Sequence, residues 1–285
     1  MAERAARLER SRERKYAVAL ARAFGAALLF ALPLLMTMEM WWLGFSMDRY
    51  RLVLFLLLMF PVLVALSHYS GFKPTVSWAE DAVDALVGYG VGFIASAVVL
   101  ALIAQLDPAM PESEIIGKIS LQAIPASFGA VFANSQLAAR SEEEEAAMRD
   151  QAPRGASYGA GLFFMLAGAV FVAFNVAPTE EMVLIAYRMT RWHAVAIALV
   201  SLLMMHAFVY GSRFRGEPAR HPDTPAWSLF LRYSLAGYAL ALLVSAYILW
   251  TFGRFEGHAF EMYVLQSIVL GFPASLGAAA ARLIL

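Results

Sequence analysis

Two places in this chain set carboxylates inside long apolar stretches. Thr37-Met38-Glu39-Met40 follows the run that begins at Tyr16, and Asn175-Val-Ala-Pro178-Thr179-Glu180-Glu181-Met182 follows a second run. A carboxylate at membrane depth is costly unless it faces water, a partner or an ion. Oxygen ligands suit hard cations such as Ca²⁺, Na⁺ or Mg²⁺. Pro178 removes a backbone donor and crowds the preceding turn, so a kink or break is expected there. Its freed carbonyls would add oxygens beside Thr179, Glu180 and Glu181. Carboxylates held together can also share a proton, which opens proton coupling. The expected ion-binding or pathway residues are therefore Glu39, Glu180, Glu181, Thr37, Thr179 and Asn175, with Glu39, Glu180 and Glu181 as metal-ligating carboxylates.

Each of these residues also has a plainer reading. If residues 16–45 form one straight helix, Glu39 sits roughly 10 Å below the following loop, at 1.5 Å per residue. If the helix instead ends near Thr37, Trp41 and Trp42 lie in the interfacial aromatic belt and Glu39 in headgroup water. Thr179 followed by glutamates can simply cap a new helix and complement its dipole. The spacing Glu39 to Arg49 equals Glu181 to Arg191. Each arginine could close a gating salt bridge or contact lipid phosphate.

The elements that must position these residues come in two copies. A shift of 142 residues lays Tyr16–Lys73 on Tyr158–Arg215 without a gap, so Thr37, Glu39, Met40 and Arg49 meet Thr179, Glu181, Met182 and Arg191. Further on, Gly88-Tyr89 meets Gly237-Tyr238, and Pro125-Ala-Ser-Phe-Gly-Ala130 meets Pro273-Ala-Ser-Leu-Gly-Ala278. Small residues allow close helix packing in lipid, so this last motif reads as packing, with Ser127 and Ser275 as optional pathway groups. Lys118 has Gln266 as its counterpart, and it could snorkel or pair with a carboxylate near the membrane surface.

Composition sets the class. Hydrophobic residues make up 61% and charged residues 15% of the 285, and several apolar runs are long enough to cross a bilayer. The expected fold is an all-α polytopic membrane protein with eight spans, near 16–45, 52–72, 82–106, 114–138, 157–188, 193–212, 228–252 and 260–284. These fall into two tandem four-helix repeats, 16–138 and 157–285. A basic segment, 1–15, reads as a short surface helix ahead of the first span, and 139–156 as an acidic polar linker. Four spans per copy insert the copies in parallel, which places their pseudo-twofold axis along the membrane normal. Sixteen of the 22 Lys and Arg fall on one side of this layout. The positive-inside rule then places both termini in the cytoplasm. Glu80, Asp81 and Asp84 read as first-turn acids of the third span, favoured by its dipole.

Several classes are disfavoured. The chain has no cysteine, hence no disulfide and no thiolate site. Its five histidines lack a metal-ligand spacing, and no nucleophile constellation of a hydrolase or transferase is present. The basic N-terminus runs straight into the first span without a small-residue cleavage site. The chain is expected not to be an enzyme and to bind no nucleic acid and no cofactor beyond a cation such as Ca²⁺.

The two-copy layout, the Asn175–Met182 stretch and the short Phe-Lys and Phe-Arg ends resemble a bacterial family of integral membrane proteins of unknown function. The resemblance covers nearly the whole chain outside the N-terminal tail and the linker. It implies a small multi-pass protein of the bacterial inner membrane and no particular activity. From the residues comes the expected function, a cation channel or transporter using the duplicated glutamates, with Ca²⁺ ahead of Na⁺ and H⁺. The alternative is a non-transporting membrane sensor or an assembly subunit. Expected partners are the bilayer, inorganic cations and further copies of the chain.

Overall fold

A computed structural model describes residues 2–70, 77–136, 158–211 and 226–284. The expected linker 139–156 lies outside the described residues. The chain divides into two compact units, Met1–Ser141 and Glu142–Leu285. Among the described residues every regular element is helical. Eight helices are long and apolar enough to cross a membrane, four in each unit: Tyr16–Leu35, Arg49–Tyr69, Trp78–Leu102 and Glu112–Phe132, then Tyr158–Val176, Arg191–Phe208, Phe230–Thr251 and Phe260–Arg282.

In the first unit the order is α1 (Ala2–Leu35), α2 (Met38–Ser46), α3 (Arg49–Ser70), α4 (Trp78–Leu102) and α5 (Glu112–Gln136). The second unit has α6 (Tyr158–Val176), α7 (Glu181–Arg188) and α8 (Arg191–Gly211). A third stretch follows, made of α9 (Ala226–Leu229), a π-helical turn (Phe230–Leu235) and α10 (Ala236–Thr251), and α11 (Phe260–Ile284) closes the unit. Each unit thus opens with a long helix followed by a short one.

Two features bear on the expected spans. The basic segment is not a separate surface helix, because α1 runs unbroken from Ala2 to Leu35. The run 16–45 follows the second of its two readings, with a helix that ends near Thr37, and the run 157–188 carries the break expected at Pro178. In the first, Thr37 adopts an extended conformation (φ −107°, ψ 132°) and α2 restarts at Met38. In the second, α6 stops at Val176, Pro178 contributes no donor, and α7 starts at Glu181.

Small residues set the helix spacing. In the first unit, Ala23, Ala27, Ala31 and Leu35 of α1 pack with Val91, Ala95 and Leu100 of α4 and with Ala126 and Ala130 of α5. A Cβ on Gly129 would lie 2.5 Å from the Ala26 carbonyl oxygen, and one on Gly277 2.5 Å from that of Gly168. Only glycine allows α1 to approach α5, and α6 to approach α11, this closely. The two serines of the repeated motif stay within their own helices. Ser127 donates to the Ala123 carbonyl and Ser275 to that of Phe272.

The connections carry their own logic. Asp48 caps α3, accepting from the backbone N–H of Tyr50 (2.9 Å) and Arg51 (3.2 Å). At the corresponding turn of the second unit, Thr190 bonds to His193 through both its backbone and its hydroxyl. Helix α4 ends with Gln105 N–H donating to the Leu100 carbonyl at 2.8 Å, and α10 with Arg254 N–H donating to that of Leu249 at 2.9 Å. This six-residue closure needs a left-handed residue just before the donor. Gly253 meets the need in the second unit (φ 72°), whereas in the first Ala104 is forced to φ 57°. A Cβ in that region is disfavoured by about 1–2 kcal/mol. Ala104→Gly should therefore raise the thermal unfolding midpoint of the detergent-solubilised protein, by about 1 kcal/mol in stability, and Gly253→Ala should lower it by a similar amount.

Candidate functional site

The interruption after the first helix of each unit organises the groups around it. A helix end leaves carbonyls unsatisfied, and in lipid such groups must find a partner within the protein. In the first unit the backbone N–H and the hydroxyl of Thr37 both donate to the Leu34 carbonyl, at 3.2 and 2.9 Å. The Trp41 indole N–H donates to the Leu35 carbonyl at 2.7 Å. In the second unit Thr179 repeats the same two bonds to the Val176 carbonyl, at 3.2 and 2.9 Å. There the Arg254 guanidinium, arriving from the loop between α10 and α11, donates to the Pro178 carbonyl. Thr37 and Thr179 thus cap the ends of the long helices, their hydroxyl hydrogens donated to carbonyls and their oxygen lone pairs left open. The side-chain amide N–H of Asn175 donates to the Phe171 carbonyl one turn back at 2.8 Å, which leaves its oxygen as an acceptor.

The glutamates sit at the start of the short helices. Glu39 lies in the first turn of α2 and is half-buried. Glu180 is the N-cap position of α7 and Glu181 its first residue, and both are exposed. Negative charge is favoured at a helix N-terminus. Among the described residues none of the three enters an ion pair, and no three His, Asp or Glu side chains gather as ligands for a metal ion.

Neither arginine faces its expected glutamate. Arg49 donates through Nη1 to the Gly44 carbonyl at 3.1 Å, capping the C-terminus of α2. Arg191 pairs through Nε with Glu261 Oε1 at 2.9 Å, on an exposed surface. The spacing of ten residues is spanned by a short helix and a turn, so each arginine lies at the end of the helix opposite its glutamate.

In the second unit the interruption opens on a cavity of about 570 Å³. It is lined by Glu180, Glu181, Leu184 and Tyr187 on the α7 side and by Arg254 and His258 on the loop side. Tyr187 Oη and His258 Nδ1 are 2.8 Å apart, and their rings meet edge to face at 5.5 Å. The cavity thus has an acidic wall, an aromatic wall and a guanidinium held against backbone.

In the first unit the cation sits elsewhere. Lys118 on α5 is buried, with its Nζ 2.7 Å from Glu114 Oε1 one turn away. Its Nζ also lies 3.4 Å from the Gln105 carbonyl in the preceding loop, so the side chain runs toward the start of its helix, and Gly44 of α2 packs over its backbone. Lys118 matches Gln266, while Arg254 matches Gln105, so the cation moves from the fourth long helix in one unit to the preceding loop in the other.

The model of a family described as "Putative integral membrane protein (DUF2391)" matches residues 19–285. The chain belongs to this family. It is an integral membrane protein with several apolar helices, embedded in lipid. None of the curated proteins and no solved structure is similar to the chain.

One polar pair in this family member escaped the sequence reading. Asp81, fully buried, accepts from or shares a proton with His68, the Oδ2–Nδ1 distance being 2.8 Å. The His68 ring stacks on Trp78 at 4.1 Å. The signal was the short connection between α3 and α4, which brings a histidine at the end of one helix to an acid at the start of the next. The second unit has its own histidine contact between the corresponding helices, His206 Nδ1 to Ser234 Oγ at 3.0 Å, beside the π-helical turn. Removing one partner strands the other in the interior. His68→Leu should cost about 1–3 kcal/mol of stability. The double substitution with Asp81→Leu should cost less than the sum of the single changes, read from thermal unfolding of the four proteins.

Proposed function

We propose that this protein is a cation channel or transporter whose ion-attracting groups are the glutamates of the two short helices. The observation that carries the reading is the break directly after the first crossing of each unit, with Glu39 or Glu181 in the first turn of the short helix that follows. Irregular backbone at membrane depth is tolerated where it is buried in protein or lines a watery cavity. Discontinuous helices of this kind form the ion and substrate sites of many carriers. The cavity beside Glu180 and Glu181 supports the same reading. By the positive-inside rule we place both termini in the cytoplasm of a bacterial cell and the short helices toward the outside.

The sequence placed Ca²⁺ ahead of Na⁺ and H⁺. A dehydrated Ca²⁺ takes six to eight oxygen ligands, and the described residues bring no three acidic or histidine side chains together. This arrangement of acidic side chains gives Ca²⁺ no advantage over Na⁺ or H⁺.

The test is flux through purified protein in liposomes under separate Ca²⁺, Na⁺, K⁺ and H⁺ gradients. At least one should move faster than in protein-free vesicles. Glu39→Gln with Glu181→Gln should slow that movement roughly tenfold or more, in line with what a charged entrance does to local cation concentration. No flux of any ion, or flux indifferent to both substitutions, would leave the non-transporting sensor or assembly subunit as the better reading.

A further inference from the structure

We infer that the end of the second unit opposite α7 binds the phosphate of an anionic phospholipid, at Arg282 of α11 and Arg232 of the π-helical turn. The site is independent of the transport reading, because it lies at the far end of the long helices from the glutamates. Arg282 sits in the last turn of α11. Its guanidinium lies over the Tyr233 ring, with Cζ 3.7 Å from the centroid, and its Nη1 is buried. Among the described residues no carboxylate or carbonyl accepts from it. An uncompensated charge at the end of a membrane helix is costly. A ring beneath a guanidinium holds its plane and leaves the N–H fork for a bidentate acceptor such as phosphate.

Charge at this end selects an anion. The acids among the described residues of the second unit are Glu180, Glu181, Glu256 and Glu261, all at the α7 end. The matching helix start in the first unit carries Glu80, Asp81 and Asp84. With Gly88 laid on Gly237, these positions become Leu229, Phe230 and Tyr233. Arg282 itself stands where the first unit has Asn134. Relative to the first unit, the second therefore lacks three acids here and adds a cation.

The surroundings hold this arrangement and point to a lipid. Tyr158 Oη donates to the Arg232 carbonyl at 2.8 Å, and its ring meets that of Tyr233 at 5.3 Å. Ser234 Oγ lies 3.0 Å from His206 Nδ1. The π-helical turn is thus tied to α6 and α8, which fixes Tyr233 beneath Arg282. Arg232 is exposed beside it. Exposed Trp227 and Tyr158 lie at the same end, where aromatic residues mark the headgroup level. Exposed Leu231 and Leu235 flank Arg232 and offer an apolar surface to acyl chains. A headgroup with its own ammonium would bring a positive charge against Arg232, so the net-negative lipid is the one that fits.

Calorimetric titration of the full-length protein in nonionic detergent with dioctanoyl phosphatidylglycerol tests this, with dioctanoyl phosphatidylcholine and inorganic phosphate as comparison titrants. Phosphatidylglycerol should bind at least about fivefold more tightly than phosphatidylcholine. Arg282→Gln should weaken its binding about tenfold or more, and Arg282→Lys by less, because it keeps the charge and loses the fork. Arg232→Gln should weaken it about fivefold. Arg191→Gln, at the other end of the unit, should leave it unchanged. Thermal unfolding checks each fold, and if Arg282→Gln does not fold, Arg232→Gln at its exposed position carries the test. Equal binding of the two lipids, or phosphatidylglycerol binding indifferent to the substitutions at 282 and 232, would overturn the inference. Inorganic phosphate binding as tightly as phosphatidylglycerol and displacing it would overturn it too, leaving a site for a free anion.

Discussion

A backbone carbonyl at a helix end is left without its helical partner, and both units meet that constraint at the same point. Where α1 and α6 stop, a threonine hydroxyl folds back on the carbonyl three residues before it, Thr37 on Leu34 and Thr179 on Val176. Those bonds let the chain leave the helix and start a second, short one. The new N-terminus is electropositive, and a glutamate there is stabilised by the same dipole that would reject it at the other end. The placement of Glu39 and Glu181 thus follows from the interruption. So does the position of the two arginines, which close the short helix or the surface beyond it and leave the carboxylates free of ion pairs among the described residues.

The second layer of satisfaction is where the units part. The first adds a neutral donor, the Trp41 indole, and pairs a buried cation, Lys118, with the partly exposed Glu114. The second adds a charged donor, Arg254, which reaches in from the loop. Its guanidinium keeps its charge in the same lining as Glu180 and Glu181. That is the physical setting of the cavity in the second unit. The loop closures differ in the same spirit, with Gly253 relaxed where Ala104 is strained.

Much of this was legible in the residues. Apolar length and composition gave the class and the eight crossings, and Pro178 marked the break in the second unit because proline lacks a donor. The break after Leu35 was harder to read. Pro33 lies within α1, so it is Thr37, a residue with little helix preference of its own, that ends the helix through a side-chain bond. Periodicity cannot register such a bond, so the run 16–45 could be read either as one helix or as a helix ending near Thr37. The arginine contacts were missed for a related reason: spacing of ten residues fixes distance only if the backbone between is regular, and here it turns. His68 with Asp81, and Arg254 with Pro178, join residues across connections, and a single sequence carries no record of which helix ends meet. The mismatched pair Lys118 with Gln266 did mark one place where the two units differ, although it did not say that the second unit would bring a cation to a helix end from the preceding loop.

The central claim is that the first long helix of each unit ends before its glutamate and that this glutamate stands in water. Because the chain has no cysteine, single cysteines can be placed and their reaction with a membrane-impermeant thiol reagent timed in reconstituted vesicles. Positions 39 and 181 should react at rates close to that of an exposed loop residue, while position 31, fully buried in α1, should stay unreacted. Protection of 39 and 181 to the same degree as 31 would mean continuous, sealed helices and would contradict the account.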